Sequence, residues 1–243
     1  MVPVTRRQAL ARAAQAGVVI AGARAIPGDP AVQDAANPAI RPPPAYGGTH
    51  AIAPLPFDPK SLTGLSEKLL VSHHDNNYAG AVKRLNQIEL EIAALPGDAA
   101  PFRMGSLKRE ELIARNSMVL HELYFGNLGG DGKPGGRLAG MIERQFASLA
   151  AWERDFRLTG KSLGGGSGWV VLGWDAHRGG VHHYWLFDHT HSPAGVAPLL
   201  VMDMFEHAYA MDYGANAAGY VDAFFRNLDW AELDRRAASF AAS

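Results

Sequence analysis

The sequence contains no cysteine among its 243 residues. Disulfides, zinc sites built from thiolates and cysteine nucleophiles are therefore excluded, and any bound metal must be held by histidine, aspartate or glutamate. The formal net charge of -1 gives no global attraction for nucleic acid, so no nucleic-acid partner is expected. Hydrophobic residues make up 47% and charged residues 19%, which is typical of a globular enzyme.

The N-terminal apolar run is too short and too weak to span a bilayer as a permanent helix. The pair Arg6-Arg7 before this run resembles a twin-arginine export signal, and Ala23-Arg24-Ala25 fits a signal peptidase site. An ordinary amphipathic helix is the alternative. We therefore predict a signal peptide over residues 1–25, a periplasmic or secreted protein, and no stable membrane anchor. Residues 26–53 are rich in proline, alanine and glycine, which predicts an extended, poorly ordered linker.

Two long helical patterns follow the predicted linker. Apolar residues recur at helical spacing from Leu65 to Leu95 and again from about Lys108 to Asn127. Pro96-Gly97-Asp98 ends the first pattern, and a glycine-rich run ends the second. Two such helices joined by a loop predict an antiparallel helical hairpin, to which we assign residues 54–133.

Residues 134–243 mix helical and strand patterns. Helices are predicted over residues 138–157, 217–226 and 230–240, and strands over residues 169–174, 182–187 and 199–204. The glycines at 164–168 lack the lysine and following helix of a phosphate loop, so they indicate a turn. The predicted class is α+β, with an N-terminal antiparallel helical hairpin followed by a small three-stranded antiparallel sheet covered by helices.

The segment Asp203-Met-Phe-Glu-His207 is the strongest local signal for chemistry. An acid and a base four residues apart can converge on one ion, either on a helix face or on a turn that leads into a helix. The spacing alone also fits a structural ion pair. The flanking residues are apolar, however, and a buried charge must be compensated. His73 and His121 also lie in apolar helical surroundings, where a single histidine is usually a hydrogen-bonded core residue.

Four separated motifs in order resemble the iron/manganese superoxide dismutases over about residues 54–241. The first joins Leu55-Pro56-Phe57 to His73, Val82 and Leu85-Asn86, and the second is His121-Glu-Leu-Tyr124-Phe125. The third is the glycine–tryptophan turn that ends at Trp169. The closing signature runs from Pro198 through Asp203, Glu206, His207 and Tyr209 to Trp230.

The resemblance implies one iron or manganese ion per subunit, held by His73, His121, Asp203 and His207 with water or hydroxide in the fifth position. It implies the conversion of superoxide to dioxygen and hydrogen peroxide. Trp169, Phe125 and Phe205 would form an apolar shell, which core packing explains equally well. Glu206 would reach the last ligand histidine of a partner subunit, which favours a homodimer.

The sequence departs from the family around the bound solvent and the substrate channel. Ser117 replaces a possible glutamine and is too short to reach, so we assign the solvent contact to His189 in Asp188-His189. Ala81 replaces a channel tyrosine, and Asn77 and Ala210 replace a pair that joins subunits. Nearby Tyr78 and His74 are candidates for filling the channel.

Three alternatives stay open beside the dismutase. The first is a catalytically impaired, metal-binding relative, which the altered channel favours. The second is a peroxidase-like metalloenzyme on the same frame, which substrate assays would separate. The third is a zinc hydrolase, for which Glu122 is the only general base beside a ligand, and it points to another helix face than His121. The choice between iron and manganese depends on the placement of the solvent contact.

Overall fold

The computed structural model describes residues 42–240. The predicted signal peptide and residues 26–41 of the predicted linker lie outside these residues. The rest of that linker, residues 42–53, contains a 3₁₀ turn at Pro44–Tyr46 and then bonds to a helix more than thirty residues further along the chain. No helix within residues 42–240 has both the length and the hydropathy that crossing a membrane requires.

The predicted helical hairpin is present. It consists of α1 (Glu67–Ser72), α2 (Ala79–Ala93) and α3 (Pro101–Gly126). Ser66 caps α1, because its hydroxyl accepts a hydrogen bond from the backbone N–H of Leu69 at 3.1 Å. Between α1 and α2 the chain forms a π-helical turn, His73–Tyr78, a local widening that is frequent at functional sites.

Helix α3 begins seven residues before its apolar pattern does. Pro101 occupies the first turn, where its missing N–H costs no hydrogen bond. The side chains that follow are exposed, including Phe102 at 74%. Since this first part of α3 packs against little, its sequence carries no apolar periodicity.

The single helix predicted over residues 138–157 is wrong: the structure has α4 (Gly136–Phe146) and α5 (Leu149–Lys161). Ala147 between them adopts a left-handed conformation with φ 66°, which ends α4. Ser148 then caps α5 by accepting a hydrogen bond from the N–H of Ala151 at 3.0 Å.

The three predicted strands are β1 (Trp169–Asp175), β2 (Gly180–Leu186) and β3 (Val196–Asp203). They form an antiparallel sheet in the order β2-β1-β3. Gly168 enters β1 with φ 137°, and a Cβ at this position would overlap the carbonyl oxygen of Leu186. The register pairs Trp169 with Asp203, so the first residue of β1 lies beside the last residue of β3.

Short helices complete the fold. They are a 3₁₀ turn (Glu206–Ala208), α6 (Ala210–Tyr213), α7 (Ala217–Arg226), α8 (Trp230–Ala237) and a last 3₁₀ turn (Ala238–Phe240). The predicted α+β class, a helical hairpin followed by a small three-stranded sheet covered by helices, is confirmed.

A mostly buried arginine on α8 ties the hairpin to the sheet. The Arg236 guanidinium donates hydrogen bonds to the Asn127 side chain at 2.7 Å, the Leu199 carbonyl at 2.9 Å and the Leu123 carbonyl at 3.3 Å. Its Nε donates to Glu232 at 2.9 Å. One side chain therefore satisfies polar groups on α3, β3 and α8 at once.

Candidate metal centre

The structure brings the four predicted ligands together. The π-helical turn carries His73, α3 carries His121, β3 ends at Asp203, and the following 3₁₀ turn carries His207. One ligand atom from each residue lies within 4.8 Å of all the others. His73, His121 and Asp203 are buried and His207 is partly buried.

The chain reverses between Asp203 and His207. Oδ1 of Asp203 accepts a hydrogen bond from the N–H of Phe205 at 2.8 Å, which turns the chain directly after β3. The imidazole of His207 then returns to Oδ2 of the same carboxylate at 3.2 Å. Of the two arrangements that the spacing allowed, the structure has the turn and not the shared helix face.

Three histidine nitrogens converge on one carboxylate oxygen. The Nε2 atoms of His73, His207 and His121 lie 3.1, 3.2 and 3.6 Å from Oδ2 of Asp203. Among the described residues, the Nε2 atoms of His73 and His121 are buried and form no hydrogen bond. Unsatisfied buried nitrogens are costly, and an ion at their centre would satisfy them.

The protonation states of the site suit a cation. Burial lowers the pKa of His121 to about 3 and also lowers that of His73, so both rings are neutral and can offer lone pairs. Burial raises the pKa of Asp203, but the interactions with His207 and then with His73 outweigh burial and hold that pKa below its ordinary value. Three imidazole nitrogens and one carboxylate oxygen fit a first-row metal ion such as iron or manganese.

The backbone of α3 orients the His121 ring. Its Nδ1–H donates to the carbonyl oxygen of Ser117, one turn earlier, at 2.6 Å, which leaves the Nε2 lone pair facing the site. From the sequence, Ser117 was predicted only to have too short a side chain to reach the bound solvent, and the role of its carbonyl was missed. The signal that could have found it is its position, four residues before a ligand on a helix.

Three aromatic rings lie beside the converging side chains. The Trp169 ring lies 5.1 Å from that of His121, and Phe125 lies 5.0 Å from His73. Phe205 stacks on His207 at 5.3 Å. These rings limit the access of water to the ligand atoms.

His189 lies in the same aromatic shell. Its ring stacks on Phe205 at 4.6 Å and lies 6.4 Å from His121, nearly parallel to it. Nε2 of His189 is buried and forms no hydrogen bond with any described residue. Asn116 holds the loop by donating to the His189 carbonyl oxygen at 2.7 Å. The assignment of the solvent contact to His189 stays a prediction.

A hollow of about 760 Å³ lies on the His189 side of the site. Its wall includes Ala81, Asn77, Ser117 and His189, with Lys83 and other polar side chains around it. A small alanine at position 81 leaves this space unfilled. Tyr78 and His74, the candidates for filling the channel, do not line the hollow and bond instead to Ala53.

Two further predicted residues lie at the edge of the site. Glu206 is exposed beside His207, so its carboxylate faces away from the described core. Glu122, the candidate base of a zinc hydrolase, is also exposed and accepts a hydrogen bond from the Tyr78 hydroxyl at 3.0 Å. That bond directs the Glu122 carboxylate toward Tyr78.

Comparison with known proteins agrees with the geometry. Residues 134–236 match the family described as iron/manganese superoxide dismutases, C-terminal domain. The protein named superoxide dismutase [Fe] of Cupriavidus metallidurans is 52% identical over 195 residues, covering 80% of this chain and 98% of that protein. A superoxide dismutase [Fe] of Aquifex aeolicus is 32% identical over 201 residues, covering 78% and 92%.

A relative named for the other metal matches nearly as well as the Aquifex protein. Superoxide dismutase [Mn] 1 of Halobacterium salinarum is 32% identical over 192 residues, covering 77% of this chain and 94% of that protein. The long matches and the four converging side chains lead to the same conclusion. This chain belongs to the iron/manganese superoxide dismutase family.

Proposed function

We propose that this protein is a superoxide dismutase that converts two superoxide anions and two protons to dioxygen and hydrogen peroxide. One iron or manganese ion per subunit would be bound by His73, His121, Asp203 and His207. The observation that carries the proposal is the convergence of these four ligand atoms within 4.8 Å, inside a ring of aromatic side chains.

An iron or manganese ion held by these four side chains would supply the one-electron redox chemistry that the conversion of superoxide requires. The Asp203 carboxylate balances part of the metal charge, and the Ser117 carbonyl keeps the His121 Nε2 lone pair directed inward. Trp169 and Phe205 exclude bulk water. Nε2 of His189, which is buried and has no hydrogen-bond partner among the described residues, would hold a proton near the reacting oxygen atoms.

The test is a superoxide-decay assay with metal analysis of the same full-length sample. We expect the decay rate to increase in proportion to the iron or manganese content, and the metal-free protein to be inactive. Stoichiometric metal without dismutation would contradict the proposal and favour the impaired, metal-binding relative. Peroxide-dependent dye oxidation in such a sample would favour the peroxidase-like alternative.

Ala81→Tyr should alter product release and the sensitivity of the enzyme to peroxide. The larger side chain would project into the hollow that Ser117 and His189 also line. We expect a change of the order of tenfold in the rate of product release or of peroxide inactivation, equivalent to about 1.4 kcal/mol in a barrier. Pulse kinetics would measure release, and activity after incubation with peroxide would measure inactivation.

Ala81→Ser is the matched control, because serine adds one oxygen atom and leaves most of the hollow free. Decay curves and inactivation rates that coincide for wild type, Ala81→Ser and Ala81→Tyr would show that position 81 does not control access.

The proposal extends to a homodimer. Glu206 is exposed and lies next to His207, which is partly buried. In a dimer packed on this face, the Glu206 carboxylate of one copy would accept a hydrogen bond from His207 of the other. Asn77 and Ala210 do not supply the second subunit contact that the resemblance implies. Sedimentation velocity would distinguish a dimer from the 26.0 kDa monomer.

We also propose export through a twin-arginine route to the periplasm or the exterior. The support is the Arg6-Arg7 pair, the weak apolar run and the small residues that end at Ala25. Export of a folded protein suits an enzyme that must acquire its metal before it leaves. Cell fractionation, with N-terminal sequencing of the mature protein, measures both the location and the cleavage site.

A further inference from the structure

The ligand histidines differ in how their rings are held. Nδ1 of His121 is anchored to the Ser117 carbonyl at 2.6 Å. Nδ1 of His73 is buried and forms no hydrogen bond with any described residue. Packing against Tyr124 and Phe125, at 5.2 and 5.0 Å, surrounds the His73 ring but gives its Nδ1 no hydrogen bond. The placement of His73 therefore depends on ring packing and on the backbone that carries it.

That backbone is the π-helical turn, and Ala53 holds it at two points. Nε2–H of His74, the residue after the ligand, donates to the Ala53 carbonyl at 2.8 Å. The Ala53 N–H donates to the hydroxyl of Tyr78, the last residue of the turn, at 2.8 Å. One residue outside the helices thus binds both ends of the segment from His74 to Tyr78.

The same contacts reach the helix of a second ligand. The Tyr78 hydroxyl donates to Glu122 at 3.0 Å, and Glu122 is the neighbour of His121 on α3. The Tyr78 ring lies 6.4 Å from that of His121. The His74 ring lies 5.6 Å from Phe125, which contacts His73. The contacts of Ala53 therefore connect the π-helical turn with α3.

Residues 48–53, which we call the strap, are themselves fixed on α2. The buried Glu89 carboxylate binds the Gly48 N–H at 2.9 Å and the His50 ring at 2.7 Å. Asn86 pairs with both the N–H and the carbonyl of His50, at 2.8 and 2.9 Å. Gly48 has φ 59°, and a Cβ there would lie 2.8 Å from the Asn86 carbonyl oxygen, so this close approach requires glycine.

We propose that Ala53, His74 and Tyr78 form a clamp that positions His73 for metal binding. The strap would then contribute to metal affinity, because it holds the π-helical turn that carries His73. His74 and Tyr78 are positioning residues, because they act through the backbone of the π-helical turn and through Phe125. The inference rests on the metal centre of the proposed function. It assigns a positioning role to residues 48–53, whose composition predicts only a linker.

The test compares His74→Leu and Tyr78→Phe with wild type in the full-length protein. Leucine removes the bond to the Ala53 carbonyl, and phenylalanine keeps the ring but removes the hydroxyl. Removing an outer hydrogen bond from a metal site typically weakens metal binding about 10-fold to 100-fold, and we expect this loss in chelator competition for each variant. We also expect an altered absorption or electron paramagnetic resonance spectrum of the iron or manganese that is retained.

Two variants serve as controls. Asn76 lies on the same turn, but within residues 42–240 its side chain bonds only to Ser72 and not to the strap. Metal retention should therefore be unchanged in Asn76→Ala. His74→Gln can still donate from its side-chain amide to the Ala53 carbonyl and should recover much of the wild-type affinity.

The outcomes separate the clamp from the metal site itself. Wild type that retains neither metal would overturn the proposed centre and the clamp with it. Wild-type metal affinity and spectra in both clamp variants would overturn the clamp alone. A lower melting temperature of the metal-free variants, with unchanged affinity and spectra, would also overturn it, because the contacts would then be merely structural.

Discussion

Replacing Asp203 with alanine should remove the metal and abolish dismutation. Asp203 is the only anionic side chain among the four that converge at the proposed metal centre, and its Oδ2 atom lies within 3.6 Å of all three histidine Nε2 atoms. Removal of one partner from a buried charge pair costs about 3–5 kcal/mol. For metal binding this corresponds to a loss of affinity of roughly two to four orders of magnitude. Metal analysis and superoxide decay on the same sample would measure both effects.

The variant Asp203→Asn distinguishes the effect of the carboxylate charge on metal binding from the effect of side-chain shape. Asparagine can still accept the hydrogen bond from the Phe205 N–H, so the turn after β3 should persist while the charge is lost. Asp222→Asn, on the exposed part of α7, controls for removing a carboxylate elsewhere. A stoichiometrically loaded, active Asp203→Asn protein would show that the carboxylate charge does not hold the metal.

Replacing Arg236 with methionine should cause the largest loss of folding stability, about 3–5 kcal/mol. The Asn127 side chain and the carbonyls of Leu123 and Leu199 would lose a charged donor, and Glu232 would lose a partner. Methionine has a similar length, so the loss would come mainly from hydrogen bonds and charge. Because domains are stable by only about 5–15 kcal/mol, urea denaturation of metal-free protein should show a clear shift in midpoint.

Arg235 supplies a matched control one position away. Its side chain is 73% exposed and pairs with Glu232, without the contacts to α3 and β3 that Arg236 makes. Arg235→Met should change stability by less than about 1 kcal/mol, the range for surface ion pairs. Equal midpoints for the two variants would contradict a special role for Arg236.

Elements with a buried apolar face could be predicted from the sequence. The helical periodicity of α2 and the aromatic and β-branched residues of β1 and β2 reflect the packing of these elements in the core. The exposed start of α3 and the break at Ala147 leave no such pattern, since an exposed turn and a left-handed alanine are set by the chain around them.

In the metal centre, too, some features could be predicted from the sequence and others could not. The side chains that converge at the metal centre were predicted as ligands, because their residue types and motifs are specific. The Ser117 carbonyl and the Ala53 peptide were missed, because a backbone atom contributes the same group whichever residue carries it. The packing of residues 48–53 on α2 could not be predicted for another reason. Their partners, Asn86 and Glu89, are more than thirty residues away in the sequence.

The spread of the ligands along the chain has a consequence for biogenesis. His73, His121 and Asp203 are far apart in sequence and meet only when the hairpin has packed against the end of β3. A bound ion would therefore cross-link long loops, as a disulfide does, and its binding free energy would add to the free energy of unfolding. A ribosome-bound chain that ends before His207 lacks part of the ligand set and cannot assemble the proposed site. Metal can therefore be held by all four side chains only late in synthesis or after it, and resistance to proteases should rise in one late step when the metal binds.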